Sequence, residues 1–507
     1  TAIGYEAMHG NDSTALTGNQ NTSVGYNSLK VITTGGQNNA IGSHAGFALT
    51  SGDNNTAIGY YALGALTDGD SNVVIGQNAG DAMAVGESQN IAIGQSSMGA
   101  FDEGTAGGDI DGTIAIGNSA FVGGDLAGND RQVQDNVAIG RNALNSTSDN
   151  AQTGTIAIGG DALTALTSGA QNIAIGYQAL DALTEGYNNT VIGYQAGTSI
   201  ETTNSTDNTI VGRGAGAGGS GYMIHNTAIG ANALDGTGTR NAGSNVAIGS
   251  NSMGGAFGGT VSYNTAVGGN TMTGALNAAN YNVAVGYTAL EDLTTGDYNV
   301  AVGAAAGKDL TTGGSNVLLG YQAGDNASTV GNSVAIGYQS LGAETGSLLT
   351  GAHGTVAIGY QAFGVQDTND GNGIAIGYRA GRYAHIGSIW IGYSAGGNVS
   401  GSAQTNNIAL GHSAMSNFSY DGSSYNIAIG NHALKGAGIT GACTYNVAIG
   451  HTNLQSITAG VGNVAIGGNS VLSALTTGDS NIGIARGAGQ SITTTSNTIL
   501  IGADSGN

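Results

Sequence analysis

The sequence predicts an all-β protein, a parallel β-roll or β-solenoid of 28 coils with about 17–19 residues in each. Three observations lead there. Residues 55–59 read NTAIG, residues 72–76 read NVVIG, and a glycine or its single equivalent, Ala485, marks 28 such words between Gly4 and Gly502. The chain has 94 glycines and no proline in 507 residues, without a Gly-X-Y period, which excludes collagen while keeping tight turns cheap. The β-prone segments run four to five residues between Gly, Asn and Asp, too short and too rich in glycine for helices. Short strands returning at fixed intervals build a solenoid, and the whole of 1–507 reads as one repetitive unit.

Each position within the repeat has a geometric use. The residue before the marker is Ile, Val or Leu in every copy, as in Ile58 and Ile75, and the residue two further back is often Val, Ile or Thr. Alternation puts these two on one face of a strand, which is expected to face the coil's own core together with Leu63. The intervening residue, usually Ala (Ala57), is then expected to point outward, where a column of small side chains suits close contact between chains. Asn stands four before the marker in 20 of the 27 copies where that place exists, among them Asn55, Asn72, Asn172, Asn299 and Asn446. That frequency predicts an inward ladder of amides bonding from coil to coil. The marker glycines, Gly59 and Gly76 among them, fit turns needing positive φ or close backbone approach. A large apolar residue or Gly follows four after the marker, and Leu66, Leu183 and Leu293 lead into LTxG-type turns.

Composition narrows the function classes. Ten basic residues against 32 acidic ones give a net charge of −22, which speaks against nucleic acid as a partner. A lone Cys443 cannot form an intrachain disulfide, and no run of 18 apolar residues is present to span a membrane as a helix. Beginning at Thr1 without Met or a signal peptide, the chain reads as a processed or trimmed product.

The words NSVAIGYQS (332–340), SNVAIGSNS (244–252) and NVAIGGNS (463–470) resemble the head repeat of YadA-like trimeric adhesins, a repeat also found in phage fibres. The resemblance recurs along all 507 residues. It implies a left-handed β-roll with three chains about a common axis. Family coils are typically shorter by about three residues, the excess here lying in the ALxxLTTG half, so a wider or three-sided coil is also open. Neither the hexapeptide β-helix nor calcium-binding nonapeptide repeats fit, because the apolar steps are five and three and no GGxGxD run recurs. With coils about 4.8 Å apart, 28 of them predict a rod of roughly 130 Å.

Candidate sites lie where the repeat carries rings or breaks. Tyrosines directly after the marker (Tyr60, Tyr177, Tyr194, Tyr321, Tyr360) form either an exposed column for gripping glycans or a stacking ladder. The stretch 378–392 has the shortest spacing and gathers Arg379, Arg382, His385 and the only Trp, Trp390. It reads as a ligand or docking site, or as a local adjustment in which Trp390 fills the space usually left by Ala. Long intervals predict extruded loops near 98–112, 121–135 and 341–354. The first holds Asp102, Glu103, Asp109 and Asp111, a weak Ca²⁺ candidate without the spaced ligands of an EF-hand. His412, His432 and His451 follow consecutive markers and read as surface histidines or a stacked column. The sequon at 21–23 falls on the ladder Asn, and no catalytic constellation recurs in one place.

These readings together predict a structural, non-enzymatic fibre without cofactor, self-associating as a homotrimer on a virion or cell surface. It would act as a rigid spacer and adhesin of a bacteriophage tail, with a host-surface glycan or protein as further partner. A bacterial adhesin head, a single-chain filament subunit and a polysaccharide-degrading tailspike are the alternatives.

Overall fold

A computed structural model describes all residues except 11–15, 101–108, 125–131, 147–151, 201–204, 343–352, 365–371, 384–386, 398–404, 419–421 and 507. Among the described residues there are strands and turns and no helix, and the strands stack in parallel as a β-solenoid. The chain divides into two compact units, Thr1–Val261 and Ser262–Asn507. Each contributes fourteen strands of the repeated word to the described fold.

Stacking is in register. Thr56, Ala57 and Ile58 pair with Val73, Val74 and Ile75, and the same three-residue pairing continues through Ile91–Ile93 and Ile114–Ile116. The marker closes the strand: Gly59 has φ 138°, and a Cβ there would overlap the Gly76 carbonyl oxygen of the next coil. Positive φ then recurs two and four residues on, at Tyr61 (55°) and Leu63 (54°), and the same pattern repeats in most coils. Such left-handed residues normally cost energy. Here each turn is held on both sides, with the Leu63 N–H donating to Ala79 O and the Tyr61 N–H donating to Ser43 O.

The asparagine ladder forms on the predicted residues. The Asn72 N–H and Nδ2 donate to Asn55 Oδ1, each at 3.0 Å, while Asn55 Nδ2 donates across its own coil to Gly69 O at 2.8 Å. Asn172, Asn299 and Asn446 repeat the scheme, and Asn21 is one of its buried members. Threonines of the turns add a parallel column, Thr294 Oγ1 donating to Thr311 O and Thr311 Oγ1 to Ser328 O, both at 2.8 Å.

The facing of the strand is opposite to expectation. Ala57 is buried, whereas Thr56 and Ile58 are only half-buried on the outer face, and this buried-middle pattern holds in nearly every strand of the word. The physical reason is the narrow interior. Ala62, Leu63 and Leu66 enter from the turn side and are fully buried, leaving room opposite them for no more than a methyl group. The exceptions confirm this geometry. Large middle residues, Val74, Val191, Ile210, Leu318, Trp390 and Leu500, all occur in coils with glycine four after the marker, at Gly80, Gly197, Gly216, Gly324, Gly396 and Gly506. A Cβ on Gly216 would meet Ile210 Cδ1 at 2.8 Å, and one on Gly324 would meet Leu318 Cδ2 at 2.7 Å. Ile58 and Ile75 therefore form an outer ladder, not the core.

The long intervals also differ from simple loops. Asp109–Asp111 is a strand paired in parallel with Gln132–Gln134, which pairs in turn with Gln152–Thr153. Alternation directs Ile110 and Val133 inward, and both are fully buried. Within those predicted loops, 101–108, 125–131 and 343–352 lie outside the described residues.

Candidate functional site

Residues at fixed offsets from the marker form surface columns, and in one place those columns change character. Two after the marker, Gln322, Gln339 and Gln361 are linked in series, Gln339 Nε2 donating to Gln322 Oε1 at 2.9 Å and Gln361 Nε2 to Gln339 Oε1 at 3.0 Å. Arg379 ends this series, its Nε donating to Gln361 Oε1 at 3.1 Å. Ser394 and Ser413 then take the same offset. Five after the marker, where Asp325 stands in an earlier coil, come Arg382, Gly397, Ser416 and Lys435.

The change of side-chain length makes a cleft of about 380 Å³. Arg379, Arg382, Ser394, Gly397, Ser413, Ser416, Asn417 and Lys435 line it. Small residues on the two middle coils form the floor, and long cations rise at both ends. Three of the chain's ten basic residues meet here, and among the described residues no carboxylate lines the cleft. The Ser416 side chain belongs to a residue only 6% exposed, and its Oγ has no hydrogen-bond partner among the described residues.

Beside the cleft runs a column of stacked rings. Tyr321, Tyr338, Tyr360, Tyr378, Tyr393 and His412 follow one another with centroids 5.0–5.3 Å apart and planes within 18° of parallel. Arg379 lies 5.2 Å from the Tyr378 ring centroid and 5.9 Å from that of Tyr360. Tyr177 stacks on Tyr194 at 5.6 Å, while Tyr60 meets Tyr61 edge-on at 5.0 Å. Inside the longer column the inner rings, Tyr338, Tyr360, Tyr378 and Tyr393, have a stacked neighbour on both faces, so their exposed parts are edges and hydroxyls.

Of the residues singled out at 378–392, Arg379 and Arg382 reach the cleft, and His385 lies outside the described residues. Trp390 is fully buried. It pairs with Ala375 and Ala409 in the sheet and takes the interior position of Ala, with Gly396 vacating the space opposite. Lys435, the serines and Asn417 were not legible as partners, because they stand one to three coils away in sequence; aligning the repeats by their markers and reading down one offset exposes them.

The other candidates separate. Asp102 and Glu103 lie outside the described residues, Asp109 sits in the small sheet, and Asp111 Oδ1 accepts from the Ser88 N–H at 2.8 Å. Among the described residues no group of three or more His, Cys, Asp or Glu is placed to hold a metal ion. His412 and His432 are tilted neighbours at 5.4 Å, and burial, then Lys435 and the two flanking histidines, lowers the His432 pKa. Cys443 is buried, and desolvation pushes its thiol up to about 11, far from a reactive thiolate. Asp325, nearly buried beside Asp309, is pushed up to about 6, chiefly by desolvation and then by its neighbour's charge.

The class these features define is a β-solenoid with an internal amide ladder and variable surface columns. No family model matches the chain, and no match was found among curated proteins.

Proposed function

We propose that the chain is a fibre segment, a homotrimer serving as rigid spacer and host-surface adhesin of a phage tail or virion. The observation that carries this reading is the outer face of the repeated strands. Within each unit, Ile, Val and Thr repeat along fourteen strands, and at about 4.8 Å per strand the face runs about 65 Å. Residues such as Ile192, Val302 and Ile391 are more than a third exposed in the single chain. A contiguous apolar face of that length exceeds what a lone soluble chain normally leaves uncovered. Completing the burial of one half-buried Ile or Val is worth roughly 1 kcal/mol, so the sum over many coils outweighs the cost of association. The partner with a matching repeat is another copy of the chain. The amide ladder supplies stiffness, since each coil is tied to the next by buried bonds that must break together to bend it.

The reading assigns no catalytic step and no cofactor. Adhesion belongs to the surface columns, where sequence varies over an unchanging backbone. Electron microscopy of the full chain tests the proposal: a straight fibre of about 130 Å, set by the coil number at about 4.8 Å each, is expected. Globular particles or open-ended filaments would reject it, the latter in favour of a polymerising single-chain solenoid.

A further inference from the structure

The cleft between Arg382 and Lys435 has the chemistry of a binding site for an extended anionic sugar. Its two ends are cationic, Arg379 and Arg382 on one coil and Lys435 three coils on, a separation of about 14 Å at the usual strand spacing. A single small anion engages one end at a time. Between the ends the floor is neutral and hydrogen-bonding, made by Ser394, Ser413, Ser416 and Asn417. The flanking rings offer edges and phenol hydroxyls, with Arg379 lying against two of them.

A site with charge at its ends and hydroxyl-matching groups between them fits a ligand with the same order of groups. We infer that the cleft binds an oligosaccharide segment bearing carboxylate or sulfate groups, its anionic substituents paired with Arg382 and Lys435 and its hydroxyls with the serines. The concentration of three cations here stands out against a net charge of −22, which disfavours long polyanions elsewhere on the surface. A polynucleotide, with charge on every residue, would meet the neutral floor and the surrounding acidic chain. This inference deepens the adhesive part of the proposed function and rests on it, while the spacer part stands apart.

Binding to the full-length chain by calorimetry tests it, with a heparin-derived hexasaccharide for sulfate and an oligogalacturonate of equal length for carboxylate. At least one is expected to bind, more weakly as salt rises. Arg382→Ala and Lys435→Ala are each expected to weaken binding about tenfold or more, as loss of a charge-assisted contact does. Arg486→Ala, at an exposed ion pair with Asp504 outside the cleft, is expected to leave it unchanged. The inference is overturned if neither sugar binds, if an uncharged hexasaccharide or inorganic sulfate binds as tightly, if a polynucleotide binds better, or if the three variants behave alike. Circular dichroism of each variant checks that the fold is retained. Sugar binding that fails in a fibre imaged intact strikes the cleft alone and leaves the spacer standing.

Discussion

Two stretches of the second unit share one backbone and differ in almost everything laid on it. In the regular stack, Val283–Val285, Val300–Val302 and Val317–Leu319 follow at 17-residue steps, with Asn282, Asn299 and Asn316 bonded in series. Around Trp390 the step shrinks to 15 residues and then grows to 19. Ser388 replaces the ladder Asn, and a tryptophan fills the interior. The strands still pair without a slip, Ile374, Ala375 and Ile376 against Ile389, Trp390 and Ile391. Interior volume is conserved by exchange between two positions, and the surface is left free to change from carboxylates to cations. Recognition can therefore be written onto this stack without disturbing what holds it together.

The exchange of volume between the strand and turn positions carries the largest expected effect. Trp390→Ala is expected to cost about 3–5 kcal/mol by emptying the interior. Gly396→Leu is expected to cost at least about 3 kcal/mol, because its Cβ would overlap the indole ring and φ is +61°. Combining them restores the common Ala-and-Leu coil, so the double variant should be more stable than either single one. Additive losses in denaturant melts would show that the two positions do not share one space.

The ladder comes next in size. Asn299 Nδ2 donates to Asn282 Oδ1 and Gly313 O, and its Oδ1 accepts from the Asn316 N–H and Nδ2. Asn299→Ala strands these groups and is expected to cost about 3 kcal/mol. Asn299→Ser should cost less, since Ser388 Oγ already accepts from the Asn407 N–H at 3.1 Å in the irregular region. Thermal unfolding ranks the two; equal losses would mean the serine coil is held by something else.

These contrasts also mark how far the sequence could be read. The repeat, the strand positions, the Asn ladder and the turn glycines were legible, because each is a position-by-position periodicity. The facing of the strand was not. Alternation separates Ile58 from Ala57 but is silent on which side is inside, and expecting the larger residue inside places both wrongly. The decisive signal was present as a pairing between positions, Val74 with Gly80 and Trp390 with Gly396, visible only when the repeats are aligned. The cleft was half legible: Arg379 and Arg382 stand together in sequence, while Lys435 joins them through stacking alone.

A smaller expected effect comes from the acidic surface that the cleft replaces. Because the folded pKa of Asp325 is raised above the ordinary 3.8 to about 6, the folded state holds a proton that the unfolded chain releases. Stability should thus fall as pH rises from about 4 through 6, by about 2 kcal/mol in all, and Asp325→Asn should remove that slope. Melting temperatures across pH 4–8 for both proteins measure it, and an unchanged slope in the variant would show that burial of Asp325 does not set it. The smallest effect is at Ala485, the one marker that is not glycine, held at φ 95°. Ala485→Gly should stabilise the second unit by about 1 kcal/mol in the same assay, and destabilisation would show that the turn there does not carry strain.

The outer Ile and Val ladder needs a cover, and a second and third copy of the chain are expected to supply it. Light-scattering mass of the full chain, alone and with Val302→Lys and Ile358→Lys together, addresses that directly. The wild type is expected at three times the chain mass, and the double lysine variant, which charges that face while leaving Ala301 and Ala357 inside, at a lower mass. A wild-type chain that runs as a monomer, or a trimer indifferent to both lysines, would contradict it.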